Sequence, residues 1–287
     1  MVAETEKNFF DLQQAEYEKF ATEEYLMMSD GAQLRVLSSK VDKETDKTYT
    51  IVLFAGWGSV VLGWDEVLME LSKDFNVLYI ESREKGSSII SKKSETGMNR
   101  ISDDLKEIIN LKKLDQRKTI LFGSCFGATV IAHGLANNKY NPLFSVLIAP
   151  PARFDLPPLT RYIVPIVPFW SFNILKPLLK IWIKKSKSES PEQATKYIRV
   201  LDEAQGRKWK KFGKPLALPK WWDTYANVES EVLLIAAEAD KMHNAKITKE
   251  IAKLMKNSTY KNLGDNKSTH SLPVVQALRE YIQERQK

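Results

Sequence analysis

The amino-acid sequence predicts an α/β protein: a mostly parallel sheet of eight strands, helices on both of its faces, and a helical insert before the last two strands. Two observations carry this. Apolar runs rich in Val, Ile, Leu and Phe recur along the chain, and most are followed by a segment with apolar residues at helical spacing. The central runs are continuous and do not alternate, which suits strands covered on both sides.

Taken in order, residues 1–22 read as an amphipathic helix with Phe9, Phe10, Leu12, Tyr17 and Phe20. "EYLMMSDGAQLRVLSSKV" (24–41) reads as two strands around Asp30-Gly31, a strong hairpin signal that places an antiparallel edge ahead of the parallel strands. "YTIVLFAG" (49–56) and "FNVLYIES" (75–82) are buried strands on either side of a helix at 64–73. A helix at 99–113 precedes a third buried strand, "KTILFGS" (118–124), which runs into a helix at 126–137; "FSVLIAP" (144–150) is a fourth. After the insert come a strand in "EVLLIAAEAD" (231–240), a helix at 244–256, a short strand in "STYKNLGD" (258–265) and a closing helix at 272–286. The core is expected at 1–150 and 226–287, with a cap insert at 151–225.

Composition narrows the function. Hydrophobic residues make up 43% and charged residues 28%, values of a globular chain and not of a disordered one. The start, "MVAETEKNFFDLQQ", lacks the apolar core of a secretion signal. The longest apolar stretch, 156–183, is broken by Pro157, Pro158, Pro165, Pro168 and Pro177 and carries Arg161, Lys176 and Lys180. A spanning helix needs about 20 mostly apolar residues, so none is expected. A single cysteine excludes an internal disulfide and suits a cytoplasmic protein. The net charge of +7 is local: residues 151–220 hold 15 Lys and Arg against 5 Asp and Glu, and the remainder is slightly acidic. That pattern argues against a general nucleic-acid binder.

"LFGSCFGATV" (121–130) is the stretch with chemistry. A strand that turns tightly into a helix lifts one side chain above the sheet edge, and the residues two before and two after it must be small. Gly123 and Gly127 meet this only with Cys125 at the centre; around Ser124 the flanks would be Phe122 and Phe126. On the bland alternative, Cys125 is a small hydrophobe in a packing turn. The order of elements and "GSCFG" at the third buried parallel strand resemble the α/β-hydrolase fold over nearly the whole chain. Cysteine replaces the usual serine of the box, as in dienelactone hydrolases and polyhydroxyalkanoate synthases; the likeness to those two is confined to the box.

The resemblance implies a base and an acid that follow the nucleophile in the order acid, then His. His270, in "GDNKSTHSLP" after the last strand, stands where the family places its base. His133 falls in the helix after Cys125 and reads as a packing residue; His243, just past a strand end, reads as a polar loop residue. Asp240, ending "VLLIAAEAD", is the expected acid that orients the imidazole, with Glu238 as a weaker alternative. Backbone N–H groups of Trp57, in "FAGWGS", and Phe126 would form the oxyanion hole. Two departures stand out. Ala55 occupies the place of a common family His, and in "ESREKGSS" (81–88) Glu84 and Lys85 intrude where relatives often have glycine, read here as a surface salt link.

Sulfur at the elbow changes the expected substrate. A thiolate leaves more readily than an alkoxide, so attack on a plain alkyl ester would tend to reverse, whereas thioesters, enol esters and activated lactones would be cleaved. The expected activity is therefore hydrolysis of an ester or thioester of a hydrophobic acyl group through a thioester acyl-enzyme, without cofactor or metal. An acyltransferase passing the acyl group to a hydroxyl or thiol, and a non-catalytic ligand-binding protein on the same fold, are the alternatives. The insert's aromatics Trp170, Phe172 and Trp182 would line the site, and Lys184, Lys185, Lys187, Arg207, Lys208, Lys210, Lys211 and Lys214 would rim it with positive charge. Such a site suits an acyl-coenzyme A or an acidic lipid, with peripheral membrane contact.

Overall fold

The structure is a computed structural model, which describes residues 14–153, 166, 168–186, 188, 190–216, 219–240 and 243–286. Strands β1 (Thr22–Met27), β2 (Gln33–Ser39), β3 (Thr50–Phe54), β4 (Asn76–Ile80), β5 (Thr119–Ser124), β6 (Phe144–Ile148), β7 (Val232–Ala236) and β8 (Ser258–Asn262) form one eight-stranded sheet in the order β1-β2-β4-β3-β5-β6-β7-β8. The β1–β2 and β2–β4 pairs are antiparallel and the rest are parallel. The hairpin forms where Asp30-Gly31 marks it, with Gly31 at φ +80°.

Neighbouring residues on each central strand serve opposite faces, as the pleat requires. Val52, Phe54, Leu121, Leu147 and Leu234 pack with helices α3 (Met98–Leu111) and α4 (Phe126–Ala136). Ile51, Leu53, Ile120, Phe122 and Leu233 pack on the other face with α2 (Asp65–Leu71) and the C-terminal helix Leu272–Arg285. Helix α3 forms because Ile101, Leu105 and Ile108 recur on one side.

Two expectations change. Of the N-terminal helix only α1 (Glu16–Phe20) lies in the described residues, and the chain is already β1 from Thr22; Tyr17 is buried, Phe20 is exposed, and Phe9, Phe10 and Leu12 lie outside the described residues. The second change is that Glu84 and Lys85 are not at the surface: both are buried, with Nζ 3.2 Å from the carboxylate. Beside them Arg83 is fully buried and joins the hairpin to α3. Its Nη2 donates to Asp30 Oδ1 at 2.9 Å, and it also donates to Asp104, which Arg100 holds as well.

Between β6 and β7 the described helices are α5 (Ser171–Ser186), α6 (Pro191–Glu203), α7 (Gly206–Gly213) and α8 (Trp222–Ala226). Helix α6 starts at Ser190, whose hydroxyl accepts from Gln193 N–H, and has proline in its first turn. The chain ends with α9 (Ala245–Leu254), β8 and α10 (Leu272–Arg285).

Candidate active site

Cys125 stands between β5 and α4 at φ +49° and ψ −118°, a conformation that side chains other than glycine's seldom adopt. Its N–H donates to Ile148 O at 2.8 Å, which ties the turn to β6. The flanking glycines answer a spatial need. A Cβ on Gly127 would lie 2.0 Å from Phe54 O, and one on Gly123 would lie 2.8 Å from the Ala128 backbone. Ser124 stays in β5 and is buried, whereas Cys125 is half-buried at the sheet's edge.

The imidazole that the structure brings to Cys125 belongs to His243. Its Nδ1 donates to Asp240 Oδ2 at 2.8 Å, its backbone N–H donates to Asp240 Oδ1 at 3.2 Å, and its ring lies near enough to the Cys125 sulfur for the two to interact electrostatically. With Nδ1 committed to the carboxylate, Nε2 is the atom left for the sulfur. The ring's pKa is pushed up to about 10: burial opposes the charge, but the sulfur and the Asp240 carboxylate outweigh it. His243 begins the approach to α9, where Asn244 caps the helix, so the loop after β7 supplies both acid and imidazole.

His270, expected in that place, makes other contacts. Its ring packs on Trp64 with centroids 4.4 Å apart, and its Nδ1 donates to Asn266 O at 3.1 Å and also meets the Thr269 hydroxyl. Burial holds its pKa down to about 4, and the charge on neighbouring His243 adds to this. It is a neutral ring beside the Cys125–His243–Asp240 group, with no hydrogen bond to Cys125 or Asp240. His133 is a packing residue, with Nδ1 3.2 Å from Ser102 Oγ. Glu238 pairs with Lys249 at the exposed end of the loop and takes no part in the site.

Asn266 was not singled out from the sequence. It is buried and donates from Nδ2 to Asp240 Oδ2 at 2.8 Å, while its Oδ1 accepts from Gln193 and Tyr197 of α6 and its main-chain oxygen accepts from His270. One residue thus joins the acid, the second imidazole and the insert. Only its place in "GDNKSTH", four residues before His270, could have flagged it.

The loop after β3 packs against the elbow. A Cβ on Gly56 would lie 3.2 Å from Cys125 Cβ, and the Trp57 ring meets Phe126 edge-on at 5.6 Å. The insert closes over this loop. Trp209 of α7 is 6.0 Å from Trp57 and 5.3 Å from Phe172, and a Cβ on Gly58 would touch Trp209 and Val200 at 3.0 Å. A small cleft lies between Gly58, Val60 and Lys85 of the core and Val200 and Trp209 of the insert.

Two expectations about the insert do not hold. Trp170 and Trp182 are exposed, so only Phe172 of the three aromatics turns toward the site. Lys208 is no rim charge. It is buried and donates to the carbonyls of Lys85, Gly86 and Ser88; burial lowers its pKa to about 8, offset in part by Glu84 and Glu81. Lys211 lies at the surface and donates to Ser91 O and Lys92 O. Among the described residues, no cluster of His, Cys, Asp or Glu is arranged to hold a metal, and no helix is long and apolar enough to cross a membrane.

No protein-family model matches the chain, and no curated protein matches it in sequence. Solved structures do match. An esterase from Exiguobacterium antarcticum superposes with a TM-score of 0.75 at 13% identity, over 92% of this chain and 99% of that one. A hydrolase from Pseudomonas aeruginosa gives 0.71 at 17%, over 88% and 95%. The enol-lactonase from Burkholderia xenovorans gives 0.70 at 15%, over 91% and 98%. The chain therefore has the α/β-hydrolase fold.

Proposed function

We propose that the protein is a cysteine-dependent hydrolase of activated acyl esters or thioesters, with Cys125 as nucleophile, His243 as base and Asp240 as the group that orients it. The observation that carries this reading is the Asp240–His243 hydrogen bond, with the His243 ring beside the Cys125 sulfur at a strained turn on the C-terminal edge of the sheet. His243 takes the thiol proton, and the sulfur attacks the acyl carbonyl to form a C–S bond. The N–H groups of Trp57 and Phe126 receive the developing oxyanion. The bond to the leaving group breaks as His243 returns the proton to it. Water then attacks the thioester as His243 accepts the water's proton; the C–S bond breaks, His243 returns that proton to the Cys125 sulfur, and the carboxylic acid leaves. The esterases and the enol-lactonase that share the fold are named for ester-bond chemistry of this class.

A hydrophobic acyl group suits the aromatic series Phe126, Trp57, Trp209 and Phe172 that runs from the elbow to the insert. The positive insert suits an anionic donor such as acyl-coenzyme A. Helix α5 adds a surface for it: Ile174, Leu178 and Ile181 are exposed, with Lys184 and Lys185 beside them and no acidic residue in the helix. That combination suits the face of an anionic bilayer. Acyl transfer in place of hydrolysis would use the same acyl-enzyme with a hydroxyl or thiol acceptor.

The test is the intact mass of the protein after mixing with p-nitrophenyl butyrate and with a panel of acyl thioesters. Wild type and Ser124→Ala should gain one acyl group and turn over, and Cys125→Ala should do neither. Turnover retained by Cys125→Ala and lost in Ser124→Ala would overturn the assignment.

A further inference from the structure

Lys85 is buried beside the elbow, although an apolar or glycine residue would fill the space at less cost. Its counter-ion Glu84 is fully buried, with Nζ 3.2 Å from one carboxylate oxygen. Yet neither oxygen of Glu84 receives a hydrogen bond. The pair neutralises the ammonium, while the ammonium's hydrogens are directed elsewhere. One of them goes to the carbonyl oxygen of Gly56, which also accepts the Ser59 N–H at 3.1 Å.

That carbonyl belongs to the peptide unit whose other end is the N–H of Trp57. The unit is planar and trans, so its C=O and N–H point in opposite directions. Holding the oxygen on Lys85 therefore sets the direction of the Trp57 N–H, next to Gly56, where an added Cβ would lie 3.2 Å from Cys125 Cβ. A cation on the oxygen also draws electron density from the peptide and makes the N–H a better donor to an anion. Lys208 reaches from α7 to the carbonyls of Lys85, Gly86 and Ser88 and so fixes the loop that carries the ammonium.

We propose that Lys85, neutralised by Glu84, is a positioning residue that orients and polarises the Gly56–Trp57 peptide as an oxyanion donor. This rests on the acyl-enzyme reading above. It places the lysine's effect on steps that develop an oxyanion and on no others, which makes the two readings separable.

The experiment uses two reagents for the same sulfur. Acylation by p-nitrophenyl butyrate passes through a tetrahedral oxyanion. Alkylation by iodoacetamide is displacement at a saturated carbon and has none. Lys85→Met is compared with Glu84→Gln/Lys85→Met, which removes the pair without leaving a lone buried charge. Deleting an oxyanion donor outright costs about 10²–10³ in rate, and misdirecting one should cost about tenfold. Acylation and kcat should fall by about that factor in the double variant, with KM little changed and alkylation within about twofold of wild type. Equal losses with both reagents, or acylation at the wild-type rate, would overturn the proposal while leaving the nucleophile in place. Acylation that persists in Cys125→Ala would instead overturn the functional reading itself.

Discussion

The sheet and the longest described helix of the insert treat apolar side chains differently. In the sheet, Ile51, Leu53, Phe122, Leu147 and Leu233 are fully buried. In the insert, the longest described helix leaves Ile174 and Leu178 66% and 64% exposed, while Lys208 of the next helix but one is 7% exposed. Lys176 and Lys180 of α5 lie nearer the protein than those apolar residues, bound to Ala204 O and to Asp202. The core is held by apolar area removed from water. The insert is docked on it by specific polar contacts and a few aromatic rings. Hydropathy alone describes the first region well and misreads α5 and Lys208 of the second.

The largest effect that would sharpen this contrast is expected from the ionic cluster around Arg83 inside the core. Arg83→Met removes a fully buried guanidinium and leaves Asp104, also fully buried, with Arg100 alone. Breaking a buried pair in this way costs about 3–5 kcal/mol. Guanidinium unfolding would measure it, and a loss under about 1 kcal/mol would mean that the core tolerates charge as readily as the insert.

A smaller effect should separate the two histidines. His243→Ala should slow alkylation of Cys125 by iodoacetamide about tenfold near neutral pH, because the sulfur loses its partner cation. His270→Ala should leave that rate nearly unchanged. The reverse result would return the base to the core loop before α10 and leave His243 a structural residue.

His270 has its own signature in the pH dependence of stability. Its pKa lies near 4 in the folded protein against about 6.5 unfolded. Between those values the unfolded chain binds a proton that the folded chain does not, so this group's contribution falls as the pH falls from about 6.5 to 4. His270→Gln should flatten that part of the curve by up to about one proton, as read from denaturant midpoints at several pH values. An unchanged slope would show that the ring is not kept neutral by burial.

The smallest stability effect is expected on α5. Ile174→Ser with Leu178→Ser should change unfolding free energy by less than about 0.5 kcal/mol, since both side chains are already exposed. The same change should reduce co-sedimentation with phosphatidylglycerol vesicles several-fold, and added salt should weaken the binding further. Destabilisation as large as a core truncation would show instead that this face is covered by protein.

Much of the fold was legible because continuous apolar runs and helical spacing are local signals. The eight strands lie where those runs lie, with ends shifted by a few residues and β1 starting at Thr22, inside the expected helix. The turn residue was legible too, because close approach around a strand-to-helix turn restricts the flanking residues and only Cys125 has glycines two positions away on each side. The imidazole was less legible. His243 and His270 both sit in loops at the same edge, and nothing local says which loop swings over the sulfur.

The sequence by itself therefore determined the order of elements, the position of the strained turn and the identity of Asp240 as a carboxylate at a strand end. These follow from periodicity and from steric limits that act over a few residues. Tertiary structure alone decided that His243 reaches Cys125, that Asn266 links Asp240 to the insert, that Trp170 and Trp182 face outward, and that Lys85 and Lys208 are buried on backbone carbonyls. Each of those outcomes depends on what lies opposite a side chain in space. A lysine has the same local pattern whether water or a carbonyl receives its ammonium.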